Sequence, residues 1–292
     1  MTGDGIVDTS EGRFHYLSRG NVGDPLVLCL HGFPDHPHSF LPMMEALADA
    51  GLHAVAPWMR GYAPSVLEGP YDVEQLGRDA VSIAAKLSPD DPVCIVGHDW
   101  GAVATYSALA EGPEHFRCAV TMAVPHMFAF VRNMRRYPAQ LKRSWYMMFF
   151  QLPGIPERVV PARDFAMIDK LWRDWSPGYQ LPDYERRLLM DCLAASMPAP
   201  INYYRAMTRP LSGIAERSSR VEAKQRHLAV PTLYLHGADD GCIGPNLGEG
   251  QERFFTKEFE AETYQGVGHF MPSEIPEVMA RRVHGWQQRF PS

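Results

Sequence analysis

Val93-Cys94-Ile95-Val96-Gly97-His98-Asp99-Trp100-Gly101-Ala102 is the stretch on which the reading of this chain turns. Val93–Val96 is an apolar run rich in β-branched residues, the pattern of a strand covered on both faces of a parallel sheet. A helical pattern follows from Ala102 to Glu111, so the residues between must turn sharply from strand to helix. Glycines at 97 and 101 suit a turn where the two backbones pass too close for side chains. The central residue is pushed toward the left-handed region, which aspartate tolerates better than most residues bearing a Cβ. Such a strand–turn–helix presents its central side chain as a nucleophile, and the helix N-terminus behind it favours an anion. Here the presented residue is Asp99, where serine is the commoner occupant. Taken alone, the motif reads more simply as an aspartate capping a helix.

Working outward, apolar strands alternate with helical segments through the first part of the chain. A hairpin is expected from Ile6 to about Leu17 around Glu11-Gly12, then a buried strand Leu26–Leu30, a helix near Phe40–Ala50, a strand His53–Pro57 and a helix near Val73–Leu87. After the Asp99 turn comes a strand Cys118–Val124. Alternating β and α units of this kind make a doubly wound, mostly parallel α/β sheet. The rhythm breaks between about Pro125 and Leu228, where the chain is helical, aromatic and punctuated by proline. Within it Trp145–Phe150 (WYMMFF) is apolar all round, which predicts a helix buried on more than one side. The charged stretch Glu216–His227 reads as a solvated helix or connection. Strand chemistry returns at Thr232–Leu235 and near Glu262–Tyr264, followed by a terminal helix near Ser273–Arg289. The expected organisation is one core, residues 1–125 and 229–292, interrupted by a helical lid of residues 126–228.

Composition narrows the function classes. A formal charge of -6 leaves no basic surface for nucleic acid and no polybasic membrane patch. No apolar run is long enough to span a bilayer, and the N-terminal MTGDGIVDTSEGRFHYLSRG lacks the basic and apolar regions of a secretory signal, so a cytoplasmic location is expected. The cysteines (Cys29, Cys94, Cys118, Cys192, Cys242) are odd in number and lack CxxC spacing. Three lie inside strand-like runs, LVLCL, VCIVG and CAVTM, and read as reduced thiols filling core volume; no metal site is implied.

Two further signals give Asp99 a chemical context. His31-Gly32-Phe33-Pro34 follows the strand Leu26–Leu30, where a loop N–H joins the N–H after a nucleophile to form an oxyanion hole. The donors would be the backbone of Phe33 and Trp100. Late in the chain, Leu235-His236-Gly237-Ala238-Asp239-Asp240 and Gly266-Val267-Gly268-His269-Phe270 complete the order nucleophile, acid, base. His269 is the candidate base. Asp239 and Asp240 are adjacent on a turn, and pattern alone does not separate them as its partner. The other histidines, His36, His38, His98 and His126 among them, read as loop residues or as support behind the site.

These motifs resemble, over essentially the whole length, the epoxide hydrolases of the α/β-hydrolase superfamily. That resemblance implies a core carrying HGxP, GxDxG with tryptophan after the nucleophile, a late acid and histidine, and a helical cap with two tyrosines that hold and protonate the epoxide oxygen. Its spacing favours Asp240 as the acid. Its cap motifs point to Tyr146, in Trp145-Tyr146-Met147-Met148-Phe149-Phe150-Gln151-Leu152-Pro153-Gly154, and to Tyr204, in Asn202-Tyr203-Tyr204-Arg205. From the residues alone, either Tyr203 or Tyr204 could face a cleft but not both, since neighbours lie about 100° apart on a helix.

A carboxylate nucleophile changes the reaction class, because it displaces at an sp³ carbon and becomes an alkyl ester of the enzyme. An epoxide offers such a carbon. Its oxygen leaves poorly unless an acid assists, and tyrosines with ordinary pKa near 10 are protonated donors at neutral pH. His269, oriented by Asp240, then activates water against the ester held in the Phe33/Trp100 hole, giving a vicinal diol. The expected reactants are a small apolar epoxide and water, with no cofactor. Phe33, Trp100, Tyr146 and Tyr204 are the expected substrate contacts, within an aromatic and Met-rich lid that includes Trp172 and Trp175. A haloalkane-type dehalogenase would use the same nucleophile. Many haloalkane dehalogenases, however, have asparagine where Phe33 stands, and fluoroacetate dehalogenases have arginine where Trp100 stands. A ligand-binding protein on this fold is the alternative of a different class, and would need none of these residues together.

Overall fold

The computed structural model describes residues 3–291. An eight-stranded sheet forms the centre, in the order β1-β2-β4-β3-β5-β6-β7-β8. The strands are β1 (Gly3–Thr9), β2 (Gly12–Arg19), β3 (Leu26–Leu30), β4 (His53–Pro57), β5 (Val93–His98), β6 (Phe116–Met122), β7 (Thr232–Gly237) and β8 (Phe259–Tyr264). The β1–β2 hairpin joins antiparallel, β2 pairs antiparallel with β4, and every other neighbour is parallel. The order reverses around β3 and β5, and at such a point the loops from the strand C-termini diverge and leave a crevice. β3, β4, β5 and β7 are buried at every position, which is why they read as continuous apolar runs. β8 is an edge strand with alternating exposure, so its charged FEAETY sequence announces only its end.

Core helices cover both faces: α1 (Leu41–Asp49), α2 (Val73–Leu87), α3 (Trp100–Glu111) and, near the C-terminus, α12 (Met271–Glu274) and α13 (Pro276–Gln288). α2 is an ordinary amphipathic helix, capped by Asp72 accepting from the Gln75 N–H (2.9 Å) and burying Leu76, Ala80, Ile83 and Ala84. α3, small and apolar throughout, is buried from Trp100 to Leu109 between the sheet and α2. The single terminal helix expected near 273–289 is two, because Pro276 offers no N–H to continue the ladder and holds Ile275 out of helical geometry (φ −138°, ψ 55°).

Between β6 and β7 run eight helices: α4 (Met127–Met134), α5 (Ala139–Arg143), α6 (Trp145–Phe149), α7 (Pro156–Val159), α8 (Ala162–Trp175), α9 (Asp183–Ser196), α10 (Asn202–Thr208) and α11 (Ile214–Gln225). α11 carries most of the charged stretch, mainly exposed and tied down through Arg220 to Glu74 (2.6 Å) and Lys224 to Glu111 (2.6 Å). The WYMMFF segment corrects the sequence reading. α6 is five residues long and buries one face, Tyr146 and, a turn on, Phe150, while Trp145 and Met148 are 41% and 73% exposed. An i, i+4 pair suffices to seat so short a helix, and its other side faces water. All five cysteines are free. No helix of the described residues is long and apolar enough to cross a membrane.

Candidate active site

Asp99 sits between β5 and α3 with φ 53° and ψ −118°, a strained conformation for a residue with a Cβ. The glycines on either side permit it. A Cβ on Gly97 would collide with the Gly101 carbonyl, and one on Gly101 with that of Leu30. The Asp99 side chain does not cap α3. It reaches across to the next loop instead, where its Oδ1 accepts the Phe33 N–H at 2.8 Å, while Oδ2 faces His269 Nε2 at 3.5 Å.

His269 is wholly buried, and its Nδ1 lies 2.8 Å from Asp240 Oδ2. Asp240 is buried and also accepts from the N–H groups of Cys242 (2.7 Å) and Ile243 (2.8 Å) through Oδ1. Its neighbour Asp239 is exposed, and its N–H donates to the Val267 carbonyl. One residue along the turn therefore decides which carboxylate meets the histidine. Burial opposes charge on Asp240, but His269 holds its carboxyl below the ordinary value. Burial likewise opposes the imidazolium, yet the charge and hydrogen bond of Asp240, aided by Asp99, push His269 up to about 10.

Across the cavity stand Tyr146, on α6, and Tyr204, on α10, their rings meeting edge to face at 5.6 Å. The Tyr146 hydroxyl lies 3.3 Å from Cys242 Sγ. The Tyr204 hydroxyl is buried with no hydrogen-bond partner among the described residues. Burial pushes both well above the ordinary tyrosine value, so both are protonated donors at neutral pH. Tyr203 points elsewhere, its hydroxyl donating to the Arg60 carbonyl beneath the cavity. Asp99, Trp100, Tyr146 and Tyr204 share one cavity of about 60 Å³, walled mainly by Val103, Val124, Met127, Phe130, Met147, Met207 and Ile243. Trp100 packs edge-on to Tyr204 at 5.1 Å, and Phe33 does so at 5.6 Å.

Supporting residues such as Ser176 and Glu274 carry no motif in the sequence, whereas His98 lies inside the Asp99 turn itself and is among the histidines expected as loop residues or support. His98, beside Asp99, lies with Nε2 2.8 Å from the His269 carbonyl and helps fix that loop. The Trp175 carbonyl, at the end of α8, accepts from the N–H groups of both Gly241 and His269 (3.0 Å each) and so ties the Asp240 and His269 loops together. Ser176 accepts from the Phe270 N–H and donates to Glu274, which accepts from Gly268. Asp240, Cys242 and His269 bring a carboxylate, a thiol and an imidazole within 4.8 Å of one another. They suit a cation poorly: the carboxylate is already bonded on both oxygens, and burial pushes the Cys242 thiol well above its ordinary value.

Residues 25–274 match the family model described as the alpha/beta hydrolase fold. The chain is 30% identical to epoxide hydrolase 3 of Xenopus tropicalis over 93% of its own length and 73% of that protein. It is 27% identical to epoxide hydrolase 4 of Homo sapiens over 93% of this chain and 74% of that one. In fold it is similar to epoxide hydrolase A of Mycobacterium thermoresistibile, with a TM-score of 0.84 at 22% identity, covering 100% of this chain and 99% of the other. The chain is thus a hydrolase of the α/β-hydrolase family, within its epoxide-hydrolase branch.

Proposed function

We propose that the chain opens a small apolar epoxide to a vicinal diol through a covalent ester on Asp99. The observation that carries this reading is the pair of opposed groups on one cavity. A carboxylate has one oxygen held by the Phe33 N–H, and two protonated tyrosine hydroxyls belong to the facing wall. In this reading Oδ2 of Asp99 attacks the epoxide carbon while Tyr146 and Tyr204 donate to the oxygen as its C–O bond breaks. Oδ1 becomes the ester carbonyl oxygen, and the backbone N–H groups of Phe33 and Trp100 receive the charge when water adds. Residues 126–228 act as the lid over a core of residues 1–125 and 229–292, and supply the acids.

The charge balance of the site supports a division of labour. In the free enzyme His269 is flanked by two carboxylates, which favour its protonated form. Once Asp99 is an ester its charge is gone, the imidazole loses one of the groups that held its proton, and it becomes available as the base for water. The base is therefore released by ester formation, immediately before the hydrolysis that requires it. The apolar walls suit a hydrocarbon-substituted epoxide, and the methionines among them adapt to its shape.

A single turnover in ¹⁸O-water, with enzyme in excess over an aryl epoxide, tests the covalent route. The first diol is expected without label, its added oxygen coming from Asp99, and the Asp99 peptide is expected to carry ¹⁸O. Labelled first-turnover diol with an unlabelled Asp99 peptide would mean that water attacks the epoxide directly.

A further inference from the structure

The loop that carries Asp240 is joined to the helices that carry Tyr146 by a set of bonds centred on Gln140. Gln140 lies on α5, six residues before Tyr146, and is 3% exposed. Its carboxamide is bonded at both ends to one short stretch of backbone. Nε2 donates to the Cys242 carbonyl (2.7 Å) and Oε1 accepts from the Gly244 N–H (3.0 Å), the two-bond pattern by which one strand pairs with another. Nε2 also donates to Ser144 Oγ (3.0 Å), at the start of α6. Arg143 donates to the Asp240 carbonyl, and the Tyr146 hydroxyl meets Cys242 Sγ. Residues 240–244 are thus held by α5 and α6 at Asp240, Cys242 and Gly244.

We infer that Gln140 is a positioning residue for ring opening: it sets where the Tyr146 hydroxyl stands relative to Asp99 by latching α5 and α6 to the acid loop. This rests on the epoxide reading above. α6 is too short to hold a side chain to a fraction of an ångström by its own backbone bonds, and its outer face is exposed. The contact at Cys242 places the hydroxyl, and the Gln140 amide places Cys242. Loss of the latch shifts Tyr146 while leaving Asp240 on its own loop N–H groups and on His269. The consequence falls on alkylation, which needs the tyrosine, more than on ester hydrolysis, which needs the histidine.

The test is rapid-quench single turnover of an aryl epoxide, reading the Asp99 ester by mass as it forms and decays. Gln140→Leu is expected to slow ester formation by roughly tenfold to a hundredfold, the effect of a displaced catalytic group, and ester decay by less than about threefold. Gln140→Glu keeps the size. When protonated it can donate to the Cys242 carbonyl and accept from the Gly244 N–H as the amide does, giving up only the bond to Ser144, so its alkylation rate relative to wild type should recover in large part from pH 8 to pH 6. When ionised it has no donor for the Cys242 carbonyl and should behave like the leucine variant. Asn133→Leu is the structural control. Asn133, on α4, is another buried amide that joins a neighbouring helix to the core, donating to the Leu247 and Glu249 carbonyls, and its loss should lower thermal stability without slowing alkylation. If Gln140→Leu fails to fold, the pH profile of Gln140→Glu carries the test. Wild-type alkylation in both Gln140 variants, or equal slowing of both half-reactions, overturns the inference. A wild-type enzyme that forms no Asp99 ester fails the underlying reading instead.

Discussion

The floor and the roof of the cavity are built by different physics. The floor is sheet: Asp99 follows β5, the Phe33 loop follows β3, and Asp240 follows β7, so parallel backbone ladders fix their spacing. The roof is made of short helices whose place depends on side chains. Arg205 donates to the Phe150 and Leu152 carbonyls, Gln151 to the Tyr204 carbonyl, and Gln140 to the Cys242 carbonyl in the Asp240 loop. A ladder resists single substitutions because each bond has neighbours that keep its register. A side-chain latch does not. Changes to the floor should therefore remove chemistry and leave the fold standing, while changes to the roof should grade between slowed chemistry and weakened packing.

The largest effect should come from the floor. Asp99→Gly is expected to lower turnover by about four orders of magnitude or more, the scale of removing a nucleophile. The fold should survive or gain, because glycine relieves a positive φ that costs about 1–3 kcal/mol with a Cβ present. Turnover together with urea denaturation checks both halves. A strongly destabilised variant would mean that Asp99 holds the turn together and the elbow is not a strained presentation of a nucleophile.

The roof should give intermediate effects that separate two adjacent residues. Tyr204→Phe and Tyr146→Phe should each slow ester formation by about 10²-fold, as the loss of one donor to a developing oxyanion does, and the double variant should be far worse. Tyr203→Phe should leave the rate unchanged and destabilise by about 1 kcal/mol, since its hydroxyl serves the buried Arg60 carbonyl. Equal kinetic damage at 203 and 204 would erase the distinction between a hydroxyl left free in the cavity and one engaged beneath it.

The same division explains what was legible in the sequence. β3 and β4 appear at their full extent because strands covered on both faces are written as unbroken apolar runs. The Asp99 turn is legible because two glycines and an aspartate at fixed spacing record a backbone demand. The roof records no such demand. Gln140 and Cys242 are 102 residues apart, and a glutamine in AQLKR gives no hint that its amide pairs with a distant loop. The composition of WYMMFF overstates the burial of α6, because it reports neither how short a helix is nor which of its faces finds a partner. Asp239 and Asp240 differ by which way a turn points its side chains, and composition does not carry that direction. The resemblance favoured Asp240 and Tyr204, and these are the residues found against His269 and lining the cavity.

The smallest effect tests the electrostatics of the floor against the roof. Folding raises His269 from an ordinary value of 6.5 to about 10, through Asp240 and Asp99 and against burial. A group raised on folding adds stability that is fully present below its unfolded pKa and is lost as pH climbs through the folded one. The stability difference between wild type and His269→Gln should therefore shrink as pH rises from 6 to 10, by on the order of 1–2 kcal/mol. Asp240, lowered on folding, works in the opposite window, and its contribution fades only in acid, below the ordinary carboxylate range. On the roof, Tyr204 is held well above 10 by burial and stays protonated over most of this interval, so the difference between wild type and Tyr204→Phe should be nearly flat over pH 6 to 9. Urea denaturation of the three proteins at pH 6, 7, 8 and 9, with pH 10 added for the histidine pair, reads both trends. A flat histidine difference would mean that His269 is neutral in the free enzyme. Ester formation would then have no proton to release, and the base would be ready before the nucleophile had reacted.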